Sequence, residues 1–325
     1  MQHIEMKTLS CGFEHLRMLK LRYVVLKQEL LNNLLANFFL LEQLFLEDCD
    51  TLSFDASPFK IYGPMNLDCL KISGCWRLKQ LRVYATSLKR FAFSSNNDMN
   101  CLPRVTFELV DFHDSKFSSI QRSRPLLKHL DLKCIEFSID WPQFSSLKTV
   151  TLDQVHLEEE DITVLLLNCL LLERLSIIRC DGLPLLSIIG PSLQLKQLTV
   201  MWCSHLKEIK ICDVNLIQLE YHGDVIVFSL TSVSHLVSVE MEIYTNDDKS
   251  LTNVLSMLSR DVPRLETLIF YIEGGKVPES PPMFYNLKHS ALFLGRYIFT
   301  EEFPWTTLFL SVSPFLENFH FYRVA

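Results

Sequence analysis

Glycine is scarce, with only nine residues in 325, and none of the glycine-spaced motifs that cradle phosphates or open a dinucleotide site occurs. The cysteines form no C-x-x-C pair, and no H-E-x-x-H or G-x-S-x-G motif is present, so no zinc, redox or nucleophile-elbow signature stands out. No two of the ten histidines stand four residues apart, the spacing that would align them on one helical face. No lysine- or arginine-rich run appears and the formal net charge is -7. That balance excludes a phosphate-neutralising nucleic-acid binder, which needs a basic stripe. There is no N-x-S/T acceptor, and no basic segment followed by an apolar core at the N-terminus, so nothing signals secretion. The longest apolar stretches, such as Val164–Leu172, are broken by Asn168 and fall short of a membrane span. These absences point to an intracellular, cytoplasmic or nuclear protein with reduced thiols, without a membrane segment, a cofactor site or a catalytic centre.

What remains is leucine in a fixed phrase. Leu172, Leu175 and Ile177 stand at i, i+3 and i+5, with Cys180 three residues further on. This is the L-x-x-L-x-L-x-x-N/C phrase of a leucine-rich repeat. Leu41, Leu44, Leu46 and Cys49 repeat it. Further copies run through Leu16-Leu19-Leu21, Leu67-Leu70-Ile72 with Cys75, Leu78-Leu81-Val83, Leu88-Phe91-Phe93, Leu127-Leu130-Leu132 and Leu147-Val150-Leu152. Beyond Cys180 come Leu195-Leu198-Val200 with Cys203, Leu206-Ile209-Ile211, Leu216-Leu219-Tyr221, Leu236-Val239-Met241, Leu265-Leu268-Phe270, a degraded Leu287-Ser290-Leu292, and Leu316-Phe319-Phe321. A weak copy falls at Leu102, Val105 and Phe107. The order of long and short steps at 41–93 recurs at 172–221, which reads as an internal duplication.

Apolar residues at helical spacing predict helices over Lys27–Phe38, Glu158–Cys169 and Lys249–Leu258. The acidic run at Glu158–Asp161 suits a solvated helix N-terminus. Steps of 10 or 11 residues leave no room for a helix, so those repeats turn back through a tight connection. The fold expected is therefore α/β: a curved leucine-rich-repeat solenoid with a parallel concave sheet and an irregular helical or short-turn convex side. Residues 1–325 read as one such domain, interrupted by a loop at Glu273–Pro282. The repeat cysteines are expected in the turns, each thiol donating to a neighbouring carbonyl.

In such an array function lies in the residues between the buried ones, since strand side chains alternate. Reading outward from each phrase gives Phe45, Lys71, Arg82, Tyr84, Asp131, Asp153, Met201, Lys210, Glu220 and His222 as candidate protein-binding positions on one concave face. The mixture of aromatic, apolar and charged groups suits protein recognition. Lys71, Arg82 and Lys210 could alternatively face a small anionic ligand in the cavity.

The stretch LLLNCLLLERLSIIRCDGL at 165–183 resembles the plant F-box/leucine-rich-repeat proteins of the FBD type, with Leu170 where they often carry proline. SLQLKQLTVMWCSHLKEIKICDVNLIQLEYHGD at 192–224 and FPWTTLFLSVSPFLENFHF at 303–321 are similar to their later segments. The resemblance implies the substrate-binding part of a Skp–cullin–F-box ubiquitin-ligase receptor, or an adaptor-less decoy or scaffold. The first phrase begins at Leu16, leaving no room for an F-box within this sequence, and the last ends near the final residue. A Skp-type adaptor is thus expected only if an F-box lies upstream, and the chain reads as a repeat region that fits a fragment.

Overall fold

The computed structural model describes residues 15–51, 59–75, 78, 80–85, 87–95, 104–107, 127–134, 144–244, 248–272, 282–295 and 302–323. Leu102 of the weak phrase and loop 273–281 lie outside them. The chain divides into two compact units: residues 1–130 with 134–143, and residues 131–133 with 144–325.

Unit 1 contains β1 (Met18–Arg22), β2 (Val25–Leu26), α1 (Gln28–Asn37), β3 (Gln43–Glu47), β4 (Asp50–Thr51), β5 (Phe59–Tyr62), β6 (Cys69–Ser73), β7 (Gln80–Tyr84), β8 (Arg90–Ser94) and β9 (Arg104–Phe107). The division falls inside β10 (His129–Lys133). Unit 2 continues with β11 (Thr149–Asp153), α2 (Glu159–Asn168), β12 (Arg174–Ile178), β13 (Leu185–Ile189), β14 (Gln197–Met201), β15 (Glu208–Cys212) and β16 (Gln218–Asp224). It closes with β17 (Val227–Thr231), β18 (Ser238–Tyr244), α3 (Asp248–Asp261), β19 (Thr267–Ile272), β20 (His289–Leu294), α4 (Glu302–Val312) and β21 (Asn318–Arg323).

Within unit 1 the main sheet runs β1-β3-β6-β8, and β5-β7-β9 form a second sheet. Within unit 2 the main sheet runs β11-β12-β14-β16-β18-β19-β20-β21, and β13-β15-β17 form the second. Neighbouring strands are parallel and in step, with Leu175 level with Leu198 and Leu198 level with Leu219. The phrase leucines are the reason. Leu175, Ile177, Leu198 and Val200 are at most 1 % exposed, and each buried side chain of this size contributes roughly 1.5–3 kcal/mol. Only one face of each strand is buried this way, so a one-residue slip would turn every leucine outward.

The leucine-rich-repeat α/β fold expected from the sequence is therefore present, with one correction. The 10- and 11-residue steps do not add strands to one sheet. Consecutive short phrases fall on different sheets: β6 in the main sheet, β7 in the second, β8 in the main sheet again. Leu78-Leu81-Val83 and Leu206-Ile209-Ile211 thus belong to second sheets. Arg82 and Tyr84 on β7, and Lys210 on β15, therefore stand on second sheets and not on the main-sheet face expected from the sequence.

Several main-sheet strands end in the same turn. Asp48, Arg179 and Trp202 have φ of 50°, 50° and 54°, in the left-handed region. Their amides continue the ladder, donating to Ser73, Met201 and His222 carbonyls at 2.8, 2.7 and 2.7 Å. The reversal turns the next residue inward, and that residue is the repeat cysteine. The three helices expected from periodicity are present, and α2 carries a capping box in which the Glu158 amide donates to Asp161 Oδ2 at 2.8 Å. No described helix is long and apolar enough to cross a membrane.

Candidate functional site

Phe45 and Lys71 lie side by side in register on the outer face of the unit 1 main sheet. Two ion pairs lie on it: Lys20 Nζ is 2.9 Å from Glu47 Oε2 and Arg22 Nε is 3.4 Å from Asp48 Oδ2. The hydrogen bond from Lys20 holds Glu47 below the usual carboxylate range. Lys71 and Arg82 stand on separate sheets of the same unit, and Lys210 on the second sheet of unit 2, so the anion-binding trio expected from sequence does not share a face. Tyr84 instead stacks on Tyr62, with centroids 4.9 Å apart.

The outer face of the unit 2 main sheet gathers Asp153, Met201, Glu220 and His222. Asp153 is only 8 % exposed. Arg179 grips both its oxygens at 2.9 and 2.6 Å, and Lys133 reaches Oδ2 at 3.0 Å. Asp131 sits at the next outward position of β10, two residues before that lysine.

The densest polar group sits on β16 and β18. Parallel register sets Glu220 level with Glu240 and His222 level with Glu242, so the four side chains emerge from neighbouring strands about 4.8 Å apart. His222 is 8 % exposed. Its Nδ1 lies 2.8 Å from Glu242 Oε2, and its Nε2 lies 3.5 Å from Glu220 Oε1 and 3.8 Å from Glu240 Oε1. These are ion-pair distances, but neither ring nitrogen makes a hydrogen bond. Thr199 Oγ1 donates to Glu220 Oε2 at 2.9 Å and the Tyr244 hydroxyl to Glu242 Oε1 at 2.7 Å. Among the described residues no lysine or arginine pairs with the three carboxylates. Burial raises the pKa of Glu240, and the charge of Glu220 raises it further.

Beyond Glu242 the same register row turns aromatic. Glu242 is followed by Tyr271, Phe293 and Tyr322 on successive strands. Tyr271 stacks on Phe293 at 4.2 Å and Phe293 on Tyr322 at 4.5 Å, with planes 12° and 13° apart. Tyr322 stays 46 % exposed. Trp202 meets His222 edge-on at 5.8 Å from the other side. Reading outward from the phrases ending at Phe270, Leu292 and Phe321 gives Tyr271, Phe293 and Tyr322, so the signal for the ladder was in the sequence. Glu242 was legible by the same rule, beside Met241.

The repeat cysteines line the turns. Cys49 donates to Leu21 O at 3.5 Å, Cys180 to Leu152 O at 3.4 Å and Cys203 to Ile177 O at 3.7 Å, each reaching the preceding main-sheet strand. Burial pushes the Cys180 and Cys203 thiols up to about 12 and about 11, which keeps them protonated and unreactive. Cys49 and Cys75 also touch, and that contact together with burial pushes Cys75 up.

Stacked parallel strands with buried leucines and a varied outer face define a leucine-rich-repeat interaction module. The family model described as At1g61320/AtMIF1, LRR domain, matches residues 5–121 and again 117–324. The chain belongs to that family of plant leucine-rich-repeat proteins. No curated protein matches the chain.

Proposed function

We propose that this chain is a non-catalytic recognition module that binds a protein partner on the outer face of the unit 2 main sheet. The observation that carries this reading is the half-exposed stack of Tyr271, Phe293 and Tyr322. Stacked rings are rigid, so they lose little side-chain freedom when covered, and aromatic anchors dominate the energy of protein interfaces. Asp153, Met201 and Glu220 extend the same face towards β11. Phe45 and Lys71 belong to the face of unit 1, while Arg82, Tyr84 and Lys210 leave the proposed surface.

The test is affinity capture from plant extract with the wild-type chain, a Tyr271→Ala/Tyr322→Ala variant, and Lys210→Ala on the second sheet as control. A partner retained by wild type and control and lost by the ladder variant supports the reading, with at least about tenfold weaker binding from removal of such anchors. Equal retention by all three overturns it.

On the resemblance of residues 165–183 and 192–224 to F-box/leucine-rich-repeat proteins, we further propose that the partner is a protein marked for ubiquitination. The chain would then be the recognition part of a Skp–cullin–F-box receptor acting in the cytoplasm or nucleus. The adaptor contact would need an F-box upstream of residue 1. Immunoprecipitation of the native product separates the readings: Skp and cullin co-purifying with peptides from upstream of Met1 support the receptor, and a partner without adaptor supports a decoy or scaffold.

A further inference from the structure

We propose that Glu220, His222 and Glu240 form a binding site for one divalent transition-metal ion, of the class of Zn2+ or Mn2+, on the outer face of the unit 2 main sheet. One ligand atom from each residue lies within 4.8 Å of the others. His222 Nε2 is the nitrogen turned towards both carboxylates, at 3.5 and 3.8 Å. Zinc bonds of roughly 2.0–2.2 Å place tetrahedral ligands roughly 3.3–3.6 Å apart, so small side-chain rotations would bring the three atoms onto an ion.

A cluster of carboxylates alone would say little. The second observation is His222 itself, nine-tenths buried, with both ring nitrogens unsatisfied by hydrogen bonds. A buried imidazole in that state is costly, and a cation at Nε2 gives that nitrogen its missing partner. The surroundings are those of a metal-ligating histidine. Glu242 Oε2 lies 2.8 Å from Nδ1, on the side away from the proposed ion, close enough that a small ring rotation would complete the hydrogen bond of the carboxylate–histidine–metal arrangement, which orients the ring and raises its basicity. Tyr244 steadies Glu242 and Thr199 steadies Glu220. Three protein ligands leave coordination positions open, as in zinc sites that also hold water or a ligand atom. Those positions face outward, where a carboxylate or carbonyl from a bound molecule could complete the shell. The site stands on its own geometry, whatever partner the aromatic ladder takes.

The experiment is metal titration of the full chain after EDTA treatment, followed by thermal melting with Zn2+ and Mn2+ and by the visible spectrum with Co2+. Wild type should bind about one equivalent with a Tm that rises with metal concentration, and a Co2+ spectrum free of thiolate charge transfer. Glu220→Gln/Glu240→Gln keeps the side-chain shapes and removes two charges, so it should fold, as circular dichroism would verify, and should lose the Tm rise. Thr199→Ala and Tyr244→Phe should weaken binding by roughly 10-fold or more. The proposal is overturned by an unchanged wild-type Tm at millimolar metal, by binding that survives the double substitution, or by a thiolate spectrum that places the ion at the cysteines.

Discussion

Unit 1 and the first part of unit 2, from β11 to β16, follow a common frame and yet present different chemistry. β1 begins at Met18 and β11 at Thr149, α1 at Gln28 and α2 at Glu159, β3 at Gln43 and β12 at Arg174, a constant offset of 131 residues. For β6 against β14, β7 against β15 and β8 against β16 the offset is 128. Fine detail follows the frame. Asn37 Nδ2 donates to Asn33 O and Asn168 Nδ2 to Val164 O, both at 2.7 Å. Arg17 pairs with Glu42 as Lys148 pairs with Glu173. Inward residues stay apolar: Leu44 and Leu175, Leu46 and Ile177, Leu70 and Leu198, Ile72 and Val200. Outward residues do not correspond. Where unit 2 has Glu220 and His222, unit 1 has Ala92 and Ser94, and where unit 1 has Lys71, unit 2 has Thr199. Packing constrains one side of each strand and leaves the other free to diverge, so function is best sought where the two copies disagree.

That contrast can be broken by substitution. The largest loss is expected inside: Leu175→Ala and its counterpart Leu44→Ala should each cost about 2–5 kcal/mol in urea unfolding. A loss at one copy alone would mean that the shared frame does not carry shared energetics. Next is Asp153→Ala, which strips Arg179 and Lys133 of their nearly buried partner and should cost about 1–3 kcal/mol. The matching position in unit 1 is the exposed Arg22, whose removal should leave unfolding unchanged within error. Smallest is Ser176→Ala, outward and half-exposed, expected within about 0.5 kcal/mol. Equal losses at Leu175 and Ser176 would overturn the register itself.

The buried half of the fold was legible because L-x-x-L-x-L reports which side chains leave water. It does not report which sheet they enter. Leu206-Ile209-Ile211 and Leu195-Leu198-Val200 are buried alike, so a second-sheet strand reads like a main-sheet one. That is why Arg82, Tyr84 and Lys210 were grouped with Glu220. β13 was equally legible: Leu183, Leu186 and Ile188 form a full L-x-x-L-x-L phrase, and all three are buried. The polar cluster was half legible: Glu220 and His222 are neighbours in sequence, but their meeting with Glu240 and Glu242 depends on β16 and β18 being adjacent and in step. No local pattern carries that information.

The alternation between sheets has a consequence for how such a gene can change length. Apart from β10 to β11 and β19 to β20, whose connections lie largely outside the described residues, successive main-sheet strands are separated by an excursion, a helix or a second-sheet strand, before the chain returns. A phrase of about ten residues is therefore half a coil, and the phrases carry a parity. Gaining or losing one of them would send every later phrase to the wrong sheet and turn the recognition face into its back. Gaining or losing two would preserve the assignment of all that follows. Tolerated length variants of this chain should differ by even numbers of phrases, and the copy of its first half in its second obeys that arithmetic.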